Sequence, residues 1–285
     1  MRLLVTGSSG FIASYFINRY DVKYSIDFFS FLNDDFKKLN LVNFDSVLHF
    51  SALVHQTSVS SEEEYEKINV VQTLELAKKA RESGVGHFIF MSTVKVYGEE
   101  TELIYSEESE CFPQGYYAKS KLKAERELQK LQSNNFKVSI IRTPIVYGRH
   151  VKANMKNLIN LVSKFPVLPF GDIHNRRSMV YIGNLCHLID TVIIKKRSGV
   201  FLASDNQALS TSRLIELIAQ NLDKKIYLIK IPFFASFLKF IKPSIYKRLY
   251  KSLEINSEMT KKTLELENMY SIEEGIKFMI TGEDK

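Results

Sequence analysis

Arg2 to Thr6 is a short, mostly apolar run that breaks into Gly7-Ser8-Ser9-Gly10-Phe11-Ile12-Ala13 and then into a helical stretch ending near Tyr20. A strand that passes through a glycine turn directly into a helix constrains the fold more than any other feature, because that connection starts a parallel sheet. Further buried-strand candidates are Val22 to Phe28, Ser46 to Phe50, His87 to Ser92 and Lys137 to Arg142. Helices alternate with them. Glu62 to Glu82 follows a Ser60-Ser61 cap and opens with three acidic residues, as the helix dipole favours. Ala118 to Leu131 carries Ala118, Lys121, Leu122, Ala124, Glu125 and Leu128 at helical spacing.

This alternation predicts an α/β fold, a Rossmann-type doubly wound parallel sheet. Beyond Arg142 the rhythm is less regular: Val151 to Lys164 reads as a helix, Ser178 to Ile182 as a strand, Ser212 to Asn221 as a helix and Lys225 to Ile231 as a strand. A dinucleotide-binding unit is therefore expected over residues 1–150 and a smaller C-terminal α/β substrate-binding part over 151–285, with some chain crossing back.

A glycine-rich turn lets backbone approach a pyrophosphate, whose charge then sits at the helix N-terminus. Gly7, Ser9, Gly10, Phe11 and Ile12 are the candidate contacts, and Ala13 replaces the third glycine, a change that helix-to-sheet packing tolerates. Asp27 lies 20 residues beyond Gly7, where a carboxylate is expected to accept from the adenosine ribose. No Lys or Arg occurs from Tyr24 to Phe36 to hold a 2′-phosphate, so NAD is favoured over NADP.

Tyr117 and Lys121 stand one helical turn apart, with Thr93 upstream at a strand end. An ammonium at i+4 and a helix N-terminus both favour phenolate, so the phenol's proton affinity is expected to fall toward the working pH. A proton carrier of that kind suits reversible oxidation of a carbinol, and a second hydroxyl from Thr93 suits holding the reacting oxygen. A lone Tyr-x-x-x-Lys would carry little weight in a chain with 14 Tyr; the order of the surrounding pieces supplies the specificity.

Those pieces are Thr6-Gly7-x-x-Gly10, Asp45-Ser46-Val47-Leu48-His49-Phe50-Ser51-Ala52, Asn69-Val70-x-x-Thr73, Met91-Ser92-Thr93 with Val96-Tyr97-Gly98, Tyr117-x-x-Ser120-Lys121, and Arg142-x-Pro144-x-x-Tyr147-Gly148. In this order they resemble the extended short-chain dehydrogenase/reductases of the nucleotide-sugar epimerase/dehydratase family, over nearly the whole chain. The resemblance implies that Thr93, Tyr117 and Lys121 form a catalytic triad, with Lys121 also on the nicotinamide ribose. It places Ser51, Ala52 and Asn69 beside the cofactor. It also implies a UDP-linked nucleoside diphosphate sugar, held by Asn154, Arg177 and Arg248 in addition to Thr93. Arginine suits a diphosphate because its planar fork donates to two oxygens at once.

Val94 and Lys95 stand where 4,6-dehydratases carry an Asp-Glu pair, which disfavours that reaction, and Val94 excludes the cysteine of the 3,5-epimerase/4-reductases. Two readings remain in the family. The first is a 4-reductase acting on a UDP-4-keto-6-deoxy-N-acetylhexosamine for surface polysaccharide, favoured by Ser51-Ala52-Leu53-Val54-His55, Thr93-Val94-Lys95-Val96 and Pro169 to Ser178; the second is an NAD-dependent UDP-hexose 4-epimerase. His55 and Lys95 are candidate sugar contacts. A catalytically silent dinucleotide-binding regulator is the alternative of another class. The resemblance further implies a homodimer through helices at Glu62 to Glu82 and Ala118 to Leu131.

Bulk properties exclude other classes. Two cysteines, Cys111 and Cys186, fit a reducing cytoplasm and imply neither a disulfide framework nor a metal site. The N-terminus starts directly in a strand, with no room for a signal peptide, so a cytoplasmic location is expected. The net charge of +7 comes with no nucleic-acid reader motif, and no nucleic-acid partner is expected. Eight Lys or Arg and no Asp or Glu lie between Lys224 and Lys251. That stretch fits steering of a diphosphate, contact with an anionic membrane surface, or plain solvation, but its apolar run is too short to span a bilayer.

Overall fold

The structure, a computed structural model, describes residues 1–54 and 61–282. β1 (Arg2–Thr6) and α1 (Phe11–Tyr20) open the chain, followed by β2 (Ser25–Phe29) and β3 (Ser46–His49). α2 (Glu62–Tyr65) and α3 (Gln72–Glu82) form one long helix, joined by a π-helical stretch over Glu66–Val71. β4 (His87–Thr93), the short β5 (Ile104–Tyr105), α4 (Gly115–Lys130) and β6 (Lys137–Thr143) complete the regular alternation. Next come β7 (Ile145–Tyr147), α5 (Ala153–Lys164), β8 (Val167–Leu168), β9 (Met179–Tyr181), α6 (Ile182–Lys195) and β10 (Gly199–Leu202). The chain ends with α7 (Thr211–Asn221), β11 (Tyr227–Leu228), α8 (Phe234–Ile241), α9 (Pro243–Tyr250), β12 (Glu254–Ile255), α10 (Glu258–Leu264) and α11 (Ile272–Thr281).

Six strands form one parallel sheet in the order β10-β6-β4-β3-β1-β2. Alternate residues face opposite sides, as strand geometry requires. Leu3, Val5, Leu48, Ile89 and Ile141 pack with Phe16 of α1 and Leu185 and Ile189 of α6 on one side. Leu4, Val47, Phe88, Phe90 and Ile140 pack with Leu76 and Ala80 of α3 and Ala124 and Leu128 of α4 on the other. The sheet is thus a Rossmann-like, doubly wound one, with the winding direction reversing between β1 and β3. In such sheets ligands bind outside the carboxyl ends of the strands at that reversal.

The sixth strand comes from beyond residue 150: Gly199–Leu202 pairs with Ser139–Arg142. The expected strand over Lys225 to Ile231 reduces to Tyr227–Leu228 against β8. The sequence pattern does not predict β10, α6 or α8 to α11. The Tyr147-Gly148 motif has a packing role here. The Tyr147 hydroxyl donates to Asp205 Oδ2 at 2.7 Å, and the same carboxylate accepts from the Tyr181 amide and from Asn184 Nδ2, binding the C-terminal helices to the sheet. Among the described residues, no helix is long and apolar enough to cross a membrane.

Candidate active site

Gly7 has φ +71°, and a Cβ there would stand 2.7 Å from the Ser51 amide nitrogen. Only glycine allows this approach between the ends of β1 and β3. The turn is closed by Gly10 N–H donating to Gly7 O at 2.9 Å, and Ser14 Oγ donates to the carbonyls of Ser8 and Gly10. Gly10 caps α1 without any side-chain acceptor, so no side chain occupies the helix's first amides. Ser9 and Gly10 are exposed, Phe11 and Ile12 half-buried, and Ala13 fully buried under the helix, where a larger side chain would push it off the sheet. Across the crevice, Ser51 N–H reaches Thr6 Oγ1 at 3.4 Å, and Ser51 and Ala52 are half-buried. A cradle that a Cβ would fill, beside an uncapped helix end, fits a dinucleotide's diphosphate.

Asp27 lies short of the strand end and is paired with Arg2. The strand begins at Ser25, not Val22, because Lys23 and Tyr24 leave it to bind Asp190 of α6 at 2.7 and 2.6 Å, and Val22 points into solvent. Asp27 therefore pairs in register with Leu4, two positions before the strand end, and its carboxylate holds Arg2 Nε at 2.8 Å. The carboxylate just past the end of β2 is Asp34, which accepts from the Ser30 amide at 2.7 Å. Counting strand register from Thr6, which pairs with Phe29, would have pointed past Asp27.

Thr93 is the last residue of β4, at the carboxyl edge, and Tyr117 lies in the first turn of α4. The structure brings them together: Thr93 hydrogen-bonds the Tyr117 side chain. Burial nevertheless pushes the Tyr117 phenol up to about 12, with neighbouring Tyr65 adding to the rise and Thr93 opposing it. The expected depression by Lys121 is not found. Lys121 is itself almost fully buried, with Nζ 4.0 Å from the centre of the Phe90 ring. Burial pulls it down to about 7, against the pull of Glu125, so near neutral pH it presents only part of a charge.

Behind these residues runs a buried polar network that the sequence did not disclose. Arg142 donates through Nη2 to Glu125 Oε2 at 2.6 Å, and Ser92 Oγ donates to Glu125 Oε1. The Arg142 guanidinium also lies 4.7 Å from the Tyr97 ring centre. The available signal was Glu125, four residues after Lys121 on the buried face of α4, opposite an arginine in a core strand. Asn69 is committed too: Nδ2 donates to Leu53 O and Ser120 Oγ, both at 3.0 Å, and Oδ1 accepts from Leu53 N–H at 2.7 Å. It ties the Ser51–Leu53 loop to α4, with no donor to spare for a cofactor. His49, which no motif assigns a role, bridges Thr6 and Thr73 at 2.8 and 2.9 Å. Since Thr73 Oγ1 donates to Asn69 O, it accepts from His49 Nε2–H, and Nδ1 accepts from Thr6.

The three remaining candidates converge in the C-terminal part. Arg248 Nη1 donates to Asn154 Oδ1 at 2.6 Å, and Arg177 Nη1 donates to Lys251 O at 3.0 Å. Burial lowers the Arg177 guanidinium's proton affinity; Glu99 opposes the shift and Arg248 adds to it, so the two arginines sense each other. Lys95 Nζ pairs with Glu99 at 2.9 Å. His55 lies outside the described residues.

Three similarities bear on this arrangement. A UDP-glucose 4-epimerase of Vibrio cholerae is 38% identical over 252 residues, 84% of this chain and 77% of the relative. An N-acetyl-alpha-D-glucosaminyl-diphospho-ditrans,octacis-undecaprenol 4-epimerase of Escherichia coli O157:H7 is 29% identical over 68% of this chain and 59% of its own length. The fold of the Bacillus cereus UDP-glucuronic acid 4-epimerase, solved with NAD, superposes with a TM-score of 0.78 at 20% identity, over 97% of this chain and 96% of that one. The description of one family matches residues 3–201, across the glycine turn, Thr93, Tyr117, Lys121 and most of the sixth strand, and the chain belongs to it: the NAD dependent epimerase/dehydratase family of enzymes.

Proposed function

We propose that this enzyme transfers hydride at C4 of a UDP-linked hexose or N-acetylhexosamine, working as a 4-epimerase. The observation that carries the reading is Thr93, the last residue of β4, within hydrogen-bonding reach of Tyr117 in the first turn of α4, with Lys121 one turn further along the same helix. Bound NAD would supply the hydride acceptor, and the donor for the return step. Gly7, Ser9, Gly10, Phe11 and Ile12 would hold its diphosphate, Asp34 the adenosine ribose, Ser51 and Ala52 the strand-end side, and Lys121 the second ribose. Tyr117 exchanges the proton of the C4 oxygen, and Thr93 holds that oxygen in line. Arg177, Arg248 and Asn154 bind the nucleoside diphosphate of the sugar. The homodimer would form through α2–α3 and α4, in the cytoplasm.

A second reading keeps the same residues: a 4-reductase acting on a UDP-4-keto-6-deoxy-N-acetylhexosamine. Burial that keeps Tyr117 protonated supports it, since a phenol is the form that gives a proton to a ketone. Purified enzyme separates the two. Retained NAD with interconversion of UDP-glucose and UDP-galactose, or of their N-acetyl forms, is the epimerase outcome. Stoichiometric loss of added NADH with the 4-keto sugar is the reductase outcome. In either case Tyr117→Phe is expected to lower turnover about 100-fold or more while NAD stays bound; turnover within a few-fold of wild type would sink the assignment.

A further inference from the structure

We infer that the α8–α9 hairpin is a docking surface for an anionic lipid bilayer. α8 shows no fully buried residue, although it is one of the most apolar segments of the chain. Phe234, Ala235 and Leu238 turn inward, with Phe234 against Phe170 at 6.2 Å between ring centres. Phe237, Phe240 and Ile241 stand at i, i+3 and i+4 of the helix, so they form one stripe flanking that inward face, and Phe233 extends it from just ahead of the helix. Phe233 and Phe240 are 86% and 90% exposed, and Phe237 and Ile241 more than half. Singly exposed apolar residues need no explanation, but four aromatic or branched side chains on one outward stripe do.

Charge decides what covers the stripe. All eight ionisable residues from Lys224 to Lys251 that carry charge at neutral pH are Lys or Arg. Lys247 and Lys251 lie near Glu100, Lys230 pairs with Asp172 and Arg248 with Asn154. Lys225, Lys239 and Lys242 have no carboxylate partner among the described residues, and the last two flank Phe240 and Ile241. A second copy pressed against this face would stack like charges, which disfavours self-association through it. A layer of lipid phosphates accepts the lysines while its acyl boundary takes the phenyl rings, the combination that holds amphipathic helices in an interface. The hairpin needs no membrane span for this, and because Arg248 lies on α9, docking stands the proposed substrate cleft at the bilayer surface. The inference does not depend on which C4 reaction the enzyme performs.

Flotation of the purified enzyme with vesicles of phosphatidylcholine alone or enriched in phosphatidylglycerol tests it. Wild type is expected to float with the anionic vesicles only, and to be released by high salt. Phe237→Glu/Phe240→Glu and, separately, Lys239→Glu/Lys242→Glu are expected to bind at least about tenfold more weakly with NAD binding unchanged. Wild type that floats with neither vesicle, or a Phe double variant that floats as well as wild type, overturns the inference. So does a wild-type oligomer that the Phe variant dissociates without any vesicle binding, which would make the stripe a contact between copies.

Discussion

At the level of single residues, burial decides more than spacing. The i, i+4 arrangement of Tyr117 and Lys121 is real, but a cation lowers a neighbour's proton affinity only while it is charged, and burial drags Lys121 down to about 7. The phenol's own burial then dominates. Spacing alone also does not fix the ribose acid. Asp27 is the right residue type at the right count from Gly7, yet a strand that starts three residues late leaves it facing Arg2. Asp34 has one carboxylate oxygen occupied by the Ser30 amide and stands where the chain leaves the carboxyl edge of the sheet. Asp34→Ala is therefore expected to weaken NAD binding about tenfold, as for one lost charge-assisted hydrogen bond, while Asp27→Ala leaves it unchanged. Calorimetric titration with NAD checks both; weakening by Asp27→Ala alone would restore the original assignment.

Among the elements, the π-helical stretch between α2 and α3 does most to position the candidate site. One extra residue in the turn lets Asn69 face Leu53 and Ser120 while Thr73, on the next turn, faces His49. Asn69→Ala would strand the Leu53 amide and carbonyl in a half-buried setting, at a cost of about 1–3 kcal/mol for unmade bonds. Urea unfolding should show that loss, together with weaker NAD binding, because the loop that Asn69 holds includes Ser51 and Ala52; a variant as stable as wild type would argue against the tie. The strands and helices up to Arg142 were legible because each buries a repeating apolar face, as in Phe88 and Phe90 on one side of β4 and Ile89 and Met91 on the other. The π-turn was not, since it departs from the period that such reading relies on. Nor were α8 and α9, whose apolar stripe faces outward and so mimics a buried run. The cluster of Arg177, Arg248 and Asn154 was legible only by resemblance, because it joins residues 94 positions apart in a region with no repeating pattern.

On the scale of the whole molecule, the ends of β1, β3 and β4 are locked by neutral imidazoles in the core. His49 joins β1 to α3, and His87 Nε2 lies 2.7 Å from Ser139 Oγ between β4 and β6. Burial lowers His49 to about 3 and His87 to about 4, with nearby Lys121 and Lys196 adding to the respective shifts. Both values lie below the ordinary 6.5, so on acidification the unfolded chain takes up protons that the folded chain refuses. Stability is thus fully present above about pH 6.5 and is lost progressively below it, down to the folded values. Between about pH 7 and 5 each histidine should cost about 2 kcal/mol. His49→Gln keeps a donor and an acceptor but cannot titrate. It should start less stable at neutral pH, because an amide does not reproduce the span between Thr6 and Thr73, yet lose about 2 kcal/mol less than wild type over that interval. Denaturant unfolding of both proteins at the two pH values decides it: equal losses would mean that His49 takes up its proton in the fold as readily as in the unfolded chain, with Nδ1–H then donating to Thr6 Oγ1 while the links from His49 to Thr73 and on to Asn69 stay as they are.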